Sequence, residues 1–354
     1  MGSAWSSVGA DFTKVEWSRF DAWTGLRTAF FCLTPLLVGL ATDQAGAGVI
    51  SSIGALNEGV VSTLGALNLG FTEGPAPSRT KVLESLLTGC AANAVAFSLG
   101  TLVGTTATIV AVPLVALGVS AAMVVRLRPG LEAVGTTAAV VFTVGVGLPG
   151  GGVAAAGTRF WLVLGGGIWA VVGALLQLWA QHGGTRPPAG APQPRPSRST
   201  LVVNSLAVGV TVGLGLGAGA AAGLTRDYWV MLTVVMSLRF TPFQTVSFTF
   251  MRVAGTAAGA MLALVVTLGT GEAWVLFGFL GAFAFLMFAT RNVNLVIFTF
   301  FLTSFIIVLL NLAFPGSWNL ALVRVVDVAI GGGLALAASF SMWLATRRPT
   351  GTSR

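Results

Sequence analysis

Charge is scarce in this chain. Of its 354 residues only 8% are Asp, Glu, Lys or Arg, and 55% are hydrophobic. A soluble domain carries roughly 25% charged residues, so this scarcity excludes an ordinary soluble protein. Histidine is nearly absent: His182 stands alone, and no H-E-x-x-H occurs. With only two cysteines, Cys32 and Cys90, there is no ligand pair at metal-binding spacing. Both lie in apolar runs and read as small hydrophobes, not as a disulfide frame. The two lysines, Lys14 and Lys81, end no phosphate-cradling loop, which excludes ATP hydrolysis by a P-loop. Gly213, Gly215, Gly217 and Gly219 are spaced like a dinucleotide loop. They sit inside an apolar run, where close helix packing accounts for them. No catalytic constellation emerges, so an enzyme is not expected, nor a cofactor or metal. The net charge of +8 comes from basic residues scattered in ones and twos. No basic patch with interleaved aromatics forms, so nucleic acid is not expected as a partner. The first twenty residues lack the apolar core and cleavage site of a signal peptide.

What the chain has instead is a series of long apolar runs. Residues 1–25 include an amphipathic stretch, 11–23, with Phe12, Val15, Phe20 and Trp23 set among charges. It reads as an interfacial helix on the membrane lipid. Six runs follow at 26–42, 45–69, 82–103, 107–125, 131–148 and 158–181. Residues 182–200 hold five prolines, three arginines and little apolar content, a solvated linker. Six more runs occupy 201–225, 228–240, 243–269, 273–289, 293–312 and 320–344, before a tail at 346–354. The expected fold is therefore an all-α integral membrane protein of about twelve transmembrane segments. The first six-helix unit spans 26–181 and the second 201–345.

Orientation follows from charge. If the N-terminus is cytoplasmic, only Arg159, Arg226 and Arg324 of the 19 basic residues face the other side. That bias is the positive-inside signature, and it puts both termini and the linker in the cytoplasm. An even helix count makes the two units parallel repeats. The stretches 159–179 and 324–343 support this: each has an Arg, a Gly-Gly-Gly and a closing Trp. Their registers differ by one residue between the Arg and the glycines.

The informative stretch is 228–260. The run 228–240 spans about 20 Å at ~1.5 Å per residue, short of the ~30 Å hydrocarbon core. Thr241-Pro242 then interrupts it. Thr is a good N-cap and Pro fits the first helical position, so a new helix should begin here. Arg239 lies just before the break. An Arg beside a helix N-terminus outlines an anion site, although Arg239 at a helix end also suits a snorkelling anchor. Arg252 either lines the pathway or braces the helix end. Glu58, flanked by Asn57, falls within the second run. By approximate alignment of the repeats it sits opposite Arg239, where burial would let it titrate in a proton-coupled cycle. The alternative is a hydrated Glu at a helix end. Arg324 and Asp327 are three apart on a helix and read as a structural ion pair, with Asp327 a second candidate for proton coupling.

Several of these segments resemble the fusaric acid resistance and aromatic acid exporter family. Tyr228-Trp229 with Thr233 resembles its YW-x-x-x-T segment, and Arg252, Gly255, Thr256 and Gly259 its R-x-x-G-T-x-x-G segment. Arg324, Asp327 and Gly331 resemble its closing R-x-x-D…G element. Residues 53–58 and 99–104 are similar to the weaker N-terminal pattern. The resemblance extends distantly to plant malate channels. It implies a multi-pass inner-membrane exporter of small organic anions such as aromatic carboxylic acids. Substrate would bind between the repeats at Arg239, Glu58, Asn57, Thr233 and Arg252. A passive anion channel with an Arg-lined pore is the alternative. A homo-oligomer or a periplasmic adaptor are the further partners it allows.

Overall fold

The computed structural model describes residues 14–45, 52–72, 79–148, 152–180, 196–224, 228–313 and 320–346. Most of the linker, 182–195, and the tail beyond 346 lie outside the described residues. These residues form twelve α-helices and no strand. The first six are α1 (Ala22–Ala45), α2 (Ser52–Thr72), α3 (Arg79–Val103), α4 (Thr108–Val124), α5 (Glu132–Gly147) and α6 (Val153–Ala180). The second six are α7 (Arg198–Ala221), α8 (Tyr228–Ser237), α9 (Pro242–Gly269), α10 (Ala273–Thr290), α11 (Leu295–Ala313) and α12 (Leu320–Thr346). By length and composition nine of them can cross a membrane; α2, α5 and α8 contribute shorter apolar helices. The architecture is that of an all-α, multi-pass membrane protein.

Lipid is as apolar as leucine, so helices associate through close packing and small residues. The contacts follow that logic. Gly100 of α3 and Gly104 just after it face the backbone carbonyls of Phe142 and Val146 in α5. In α9, Gly255 and Gly259 face the carbonyls of Val296 and Phe300 in α11. Both pairs belong to a Gly-Thr-x-x-Gly segment. A methyl group at Gly255 would stand 2.6 Å from the Val296 oxygen, so only glycine permits the approach. α3 also packs on α6, and α9 on α12; α1 packs on α2, and α7 on α8. Across the two sets of six, α1 lies on α10 and α7 on α4, while α5 meets α8 and α2 meets α11.

The triple glycines of α6 and α12 align differently from the raw sequence. Gly166 faces the Ser62 carbonyl of α2, and Gly331 faces the Val230 carbonyl of α8, while Gly165 and Gly333 face open space. Matching Gly166 to Gly331 puts Arg159 and Arg324 at the same spacing, seven residues earlier. The one-residue offset disappears.

The N-terminal stretch departs from the expected amphipathic helix. Its described part is a strap with one 3-10 turn, Trp17–Arg19, before α1 begins. The reason lies in its backbone bonds. Glu16 N–H donates to the Val293 carbonyl and Asp21 N–H to Ala289, while Asn294 Nδ2 donates to the Lys14 carbonyl. Donors committed to the α10–α11 connection cannot build an α-helix. Trp17 on this strap and Trp23 in the first turn of α1 stay exposed, where interfacial aromatics belong. Glu16 pairs with Lys14 and Arg19, and Lys14 foremost holds its carboxyl below the ordinary range.

Candidate functional site at a broken helix

α8 has no lipid face. Every side chain from Tyr228 to Val235, and Ser237, is buried. A helix apolar all round is a core helix, and this one is enclosed by α5, α7 and α12. It ends at Ser237 after ten residues. Leu238, Arg239 and Phe240 are irregular, and α9 begins at Pro242. Thr241 caps α9: its hydroxyl accepts from Gln244 N–H at 3.3 Å. The Arg239 N–H, freed from any helix, donates to Thr245 Oγ1 at 3.1 Å. That hydroxyl also contacts Ser339 Oγ of α12 at 3.1 Å, so the break is tied to α12. Thr241→Ala should cost about 1 kcal/mol through loss of the cap, read as a lower unfolding midpoint in detergent.

A cavity of about 460 Å³ opens at the break. Thr241, Pro242 and Phe243 line one side, Ser199, Thr200 and Asn204 a second, and Ser339 and Trp343 a third. Two helix N-termini, those of α7 and α9, therefore reach it. Each carries a partial positive charge.

Two arginines adjoin residues of its lining, though neither lines it: Arg239 precedes Phe240, and Arg126 touches Asn204 and Phe240. Arg239 is half-buried, with its guanidinium 3.9 Å from the centroid of the Phe248 ring. Its Nε is buried and has no hydrogen-bond partner among the described residues. Arg126, at the end of α4, donates from Nη1 to Asn204 Oδ1 at 3.2 Å and lies over Phe240 at 5.2 Å. The two guanidinium groups lie within electrostatic reach of one another. They come from different sets of six helices.

Deeper in the bundle, Arg252 (3% exposed) is within electrostatic reach of both Arg239 and Arg324. Arg324 (1% exposed) stacks 4.8 Å above buried Trp229. Asp327 is fully buried one helical turn from Arg324 and feels its charge. Thr233, also fully buried, donates its hydroxyl to the Trp229 carbonyl. Arg126, Arg239, Arg252 and Arg324 are thus linked in turn through their charges.

The expected pairing of Glu58 and Asn57 with Arg239 rests on side chains of α2 that lie outside the described residues. Their neighbour Gly59 packs on Pro35 and Leu36 in α1, which puts this turn of α2 well inside the bundle. Arg126 and Asn204 were not singled out from sequence. Arg126 sits beside Arg128-Pro129-Gly130 and reads as a loop anchor. Asn204, a lone amide in an apolar helix, was the available signal.

The second set of helices carries the match to a known family. Residues 214–338 match the fusaric acid resistance protein-like family. The matched stretch holds Arg239, Arg252, Arg324, Asp327 and the Thr241-Pro242 break. With nine apolar helices, this match supports a multi-pass membrane protein of transport and efflux type, in general terms, and fits a non-enzyme. No curated protein and no solved structure matches, so the likeness to plant malate channels is not shown.

Proposed function

We propose that this protein exports small organic anions, such as aromatic carboxylic acids, across the inner membrane. The substrate carboxylate enters at the broken helix between Arg126 and Arg239. One observation carries this reading: Arg126, bonded to Asn204, and Arg239, next to Phe240, come from different halves and adjoin the lining of a cavity that two helix N-termini also reach. A carboxylate there gains charge-assisted hydrogen bonds, and Phe240, Phe243 and Trp343 offer faces to an aromatic ring. Arg252 then continues the path inward.

The two sets of six helices act as parallel repeats that rock about their seam. The paired packing of α3 with α5 and α9 with α11, and the reciprocal contacts α1 on α10 and α7 on α4, support that arrangement. Both termini lie in the cytoplasm, a placement that the charge bias supports. Outward movement is proton-coupled through Glu58 or Asp327, carboxylates within the apolar helices.

Proton-driven uptake in proteoliposomes tests the reading. The wild type should drive a labelled aromatic acid against its own gradient when a proton gradient is applied. Glu58→Gln or Asp327→Asn should abolish that concentration step. Movement that only ever runs downhill, unchanged in both variants, identifies the passive anion channel instead.

A further inference from the structure

The cavity at the broken helix has a buried serine in its wall whose proton is not spent. Ser339 of α12 lines the cavity and is 2% exposed. Its Oγ makes one hydrogen bond among the described residues, with Thr245 Oγ1 of α9 at 3.1 Å, and there Thr245 is the donor. A serine within a helix often gives its proton to the carbonyl one turn back. Ser341 does so, to Ala337 at 2.8 Å. Ser339 makes no such bond to Ala335 among the described residues.

Thr245, fully buried, is already engaged. Its oxygen accepts from the Arg239 N–H, and its one proton is shared between the Thr241 carbonyl and Ser339, all at 3.1 Å. A buried donor left without an acceptor is costly. The other hydroxyls of the wall, on Ser199, Thr200 and Thr241, are exposed and can turn to water. Ser339 cannot.

Helix packing does not require this pair. Thr245 lies ten residues before Gly255, and Ser339 eight after Gly331; the same counts from Gly100 and Gly166 reach Cys90 and Ala174. Those two are buried in one apolar cluster, where α3 packs on α6 without any paired hydroxyls. The Thr245–Ser339 bond belongs to the half of the chain that carries the break and its cavity.

We infer that the Ser339 hydroxyl is a substrate contact, donating to a carboxylate oxygen of the organic acid held at the break. The inference rests on the export reading for its occupant and adds a neutral donor that recognises it. An ionised carboxylate is acceptor-only, which suits a hydroxyl that already accepts from Thr245 and has one proton to give. The bond from Thr245 holds the serine oxygen in place while its proton turns to the ligand.

The test measures the Kd of benzoate and phenylacetate for purified full-length protein by titration calorimetry. Ser339→Ala should weaken binding about tenfold or more, the weight of a hydrogen bond to a charged group. Ser339→Thr keeps the hydroxyl and should bind as the wild type does. Should Ser339→Ala fail to fold, Ser339→Cys takes its place, because a thiol is a weak donor of similar shape. A double-variant cycle separates contact from bracing. If Ser339 touches the acid, its loss weakens binding by the same factor in a Thr245→Val background. If Ser339 only braces the break through Thr245, it weakens binding no further there, and the inference falls. Unchanged affinity in Ser339→Ala also overturns it. In both cases the acid still binds the wild type, so the export reading stands. A wild type that binds neither acid removes the occupant, and both readings fall together.

Discussion

Replacing Arg239 with Gln should lower the initial rate of organic-acid export roughly 10- to 150-fold. The figure follows from one charge-assisted hydrogen bond to a carboxylate, worth about 1.5–3 kcal/mol, with each ~1.4 kcal/mol counting tenfold. Proteoliposomes loaded with a labelled aromatic acid give the measurement. Arg126→Gln should show a loss of the same order, because the two arginines adjoin the lining of one cavity from opposite halves. Stability should change little in Arg239→Gln, since the side chain is half-buried and its one described aromatic contact is Phe248. A double variant separates the two accounts. If each arginine binds the substrate, losing both costs more than losing either. If Arg126 acts only by holding Asn204, Asn204→Ala alone should reproduce its loss.

The second large effect is on folding. Gly259→Val should cost more than about 3 kcal/mol, beyond the usual range of about 1–3 kcal/mol for an overpacked core. A Cβ there collides with the backbone carbonyl of Phe300, and backbone, unlike a side chain, cannot step aside. α9 and α11 would have to separate along their whole contact. Gly100→Val should do the same to α3 and α5, through the Phe142 carbonyl. The control is Gly278→Val in α10, where an added Cβ meets nothing within 4 Å and the midpoint should hold. Unfolding midpoints in detergent decide this. Equal stability of all three variants would show that the glycine contacts do not organise the bundle.

How far the sequence reveals this molecule depends on whether the deciding chemistry is local. The start of α9 was legible, because a Thr cap and a Pro at the first helical position act within one turn. The apolar runs were legible for the same reason: hydrophobicity along the chain decides what lies in lipid. Relations between distant segments were not. Which glycines of α6 and α12 correspond depends on what faces them, and only the packing of Gly166 on Ser62 and of Gly331 on Val230 gives that match. Arg126 illustrates the same limit. Its role depends on Asn204, which is 78 residues away in the chain. The N-terminal strap carries the residue pattern of an amphipathic helix, but its backbone donors are claimed by the α10–α11 connection. Periodicity records which faces are apolar, not where the hydrogen bonds go.

The most direct test is a thermal-shift titration of purified protein with aromatic and dicarboxylic acids, comparing wild type with Arg239→Ala. A ligand bound only to the folded state at one hundred times its Kd adds about 2.7 kcal/mol of stability. At least one acid should therefore raise the wild-type midpoint by several degrees and leave that of Arg239→Ala nearly unmoved. If no acid stabilises the wild type, or if one stabilises both proteins equally, the broken helix does not hold the substrate carboxylate.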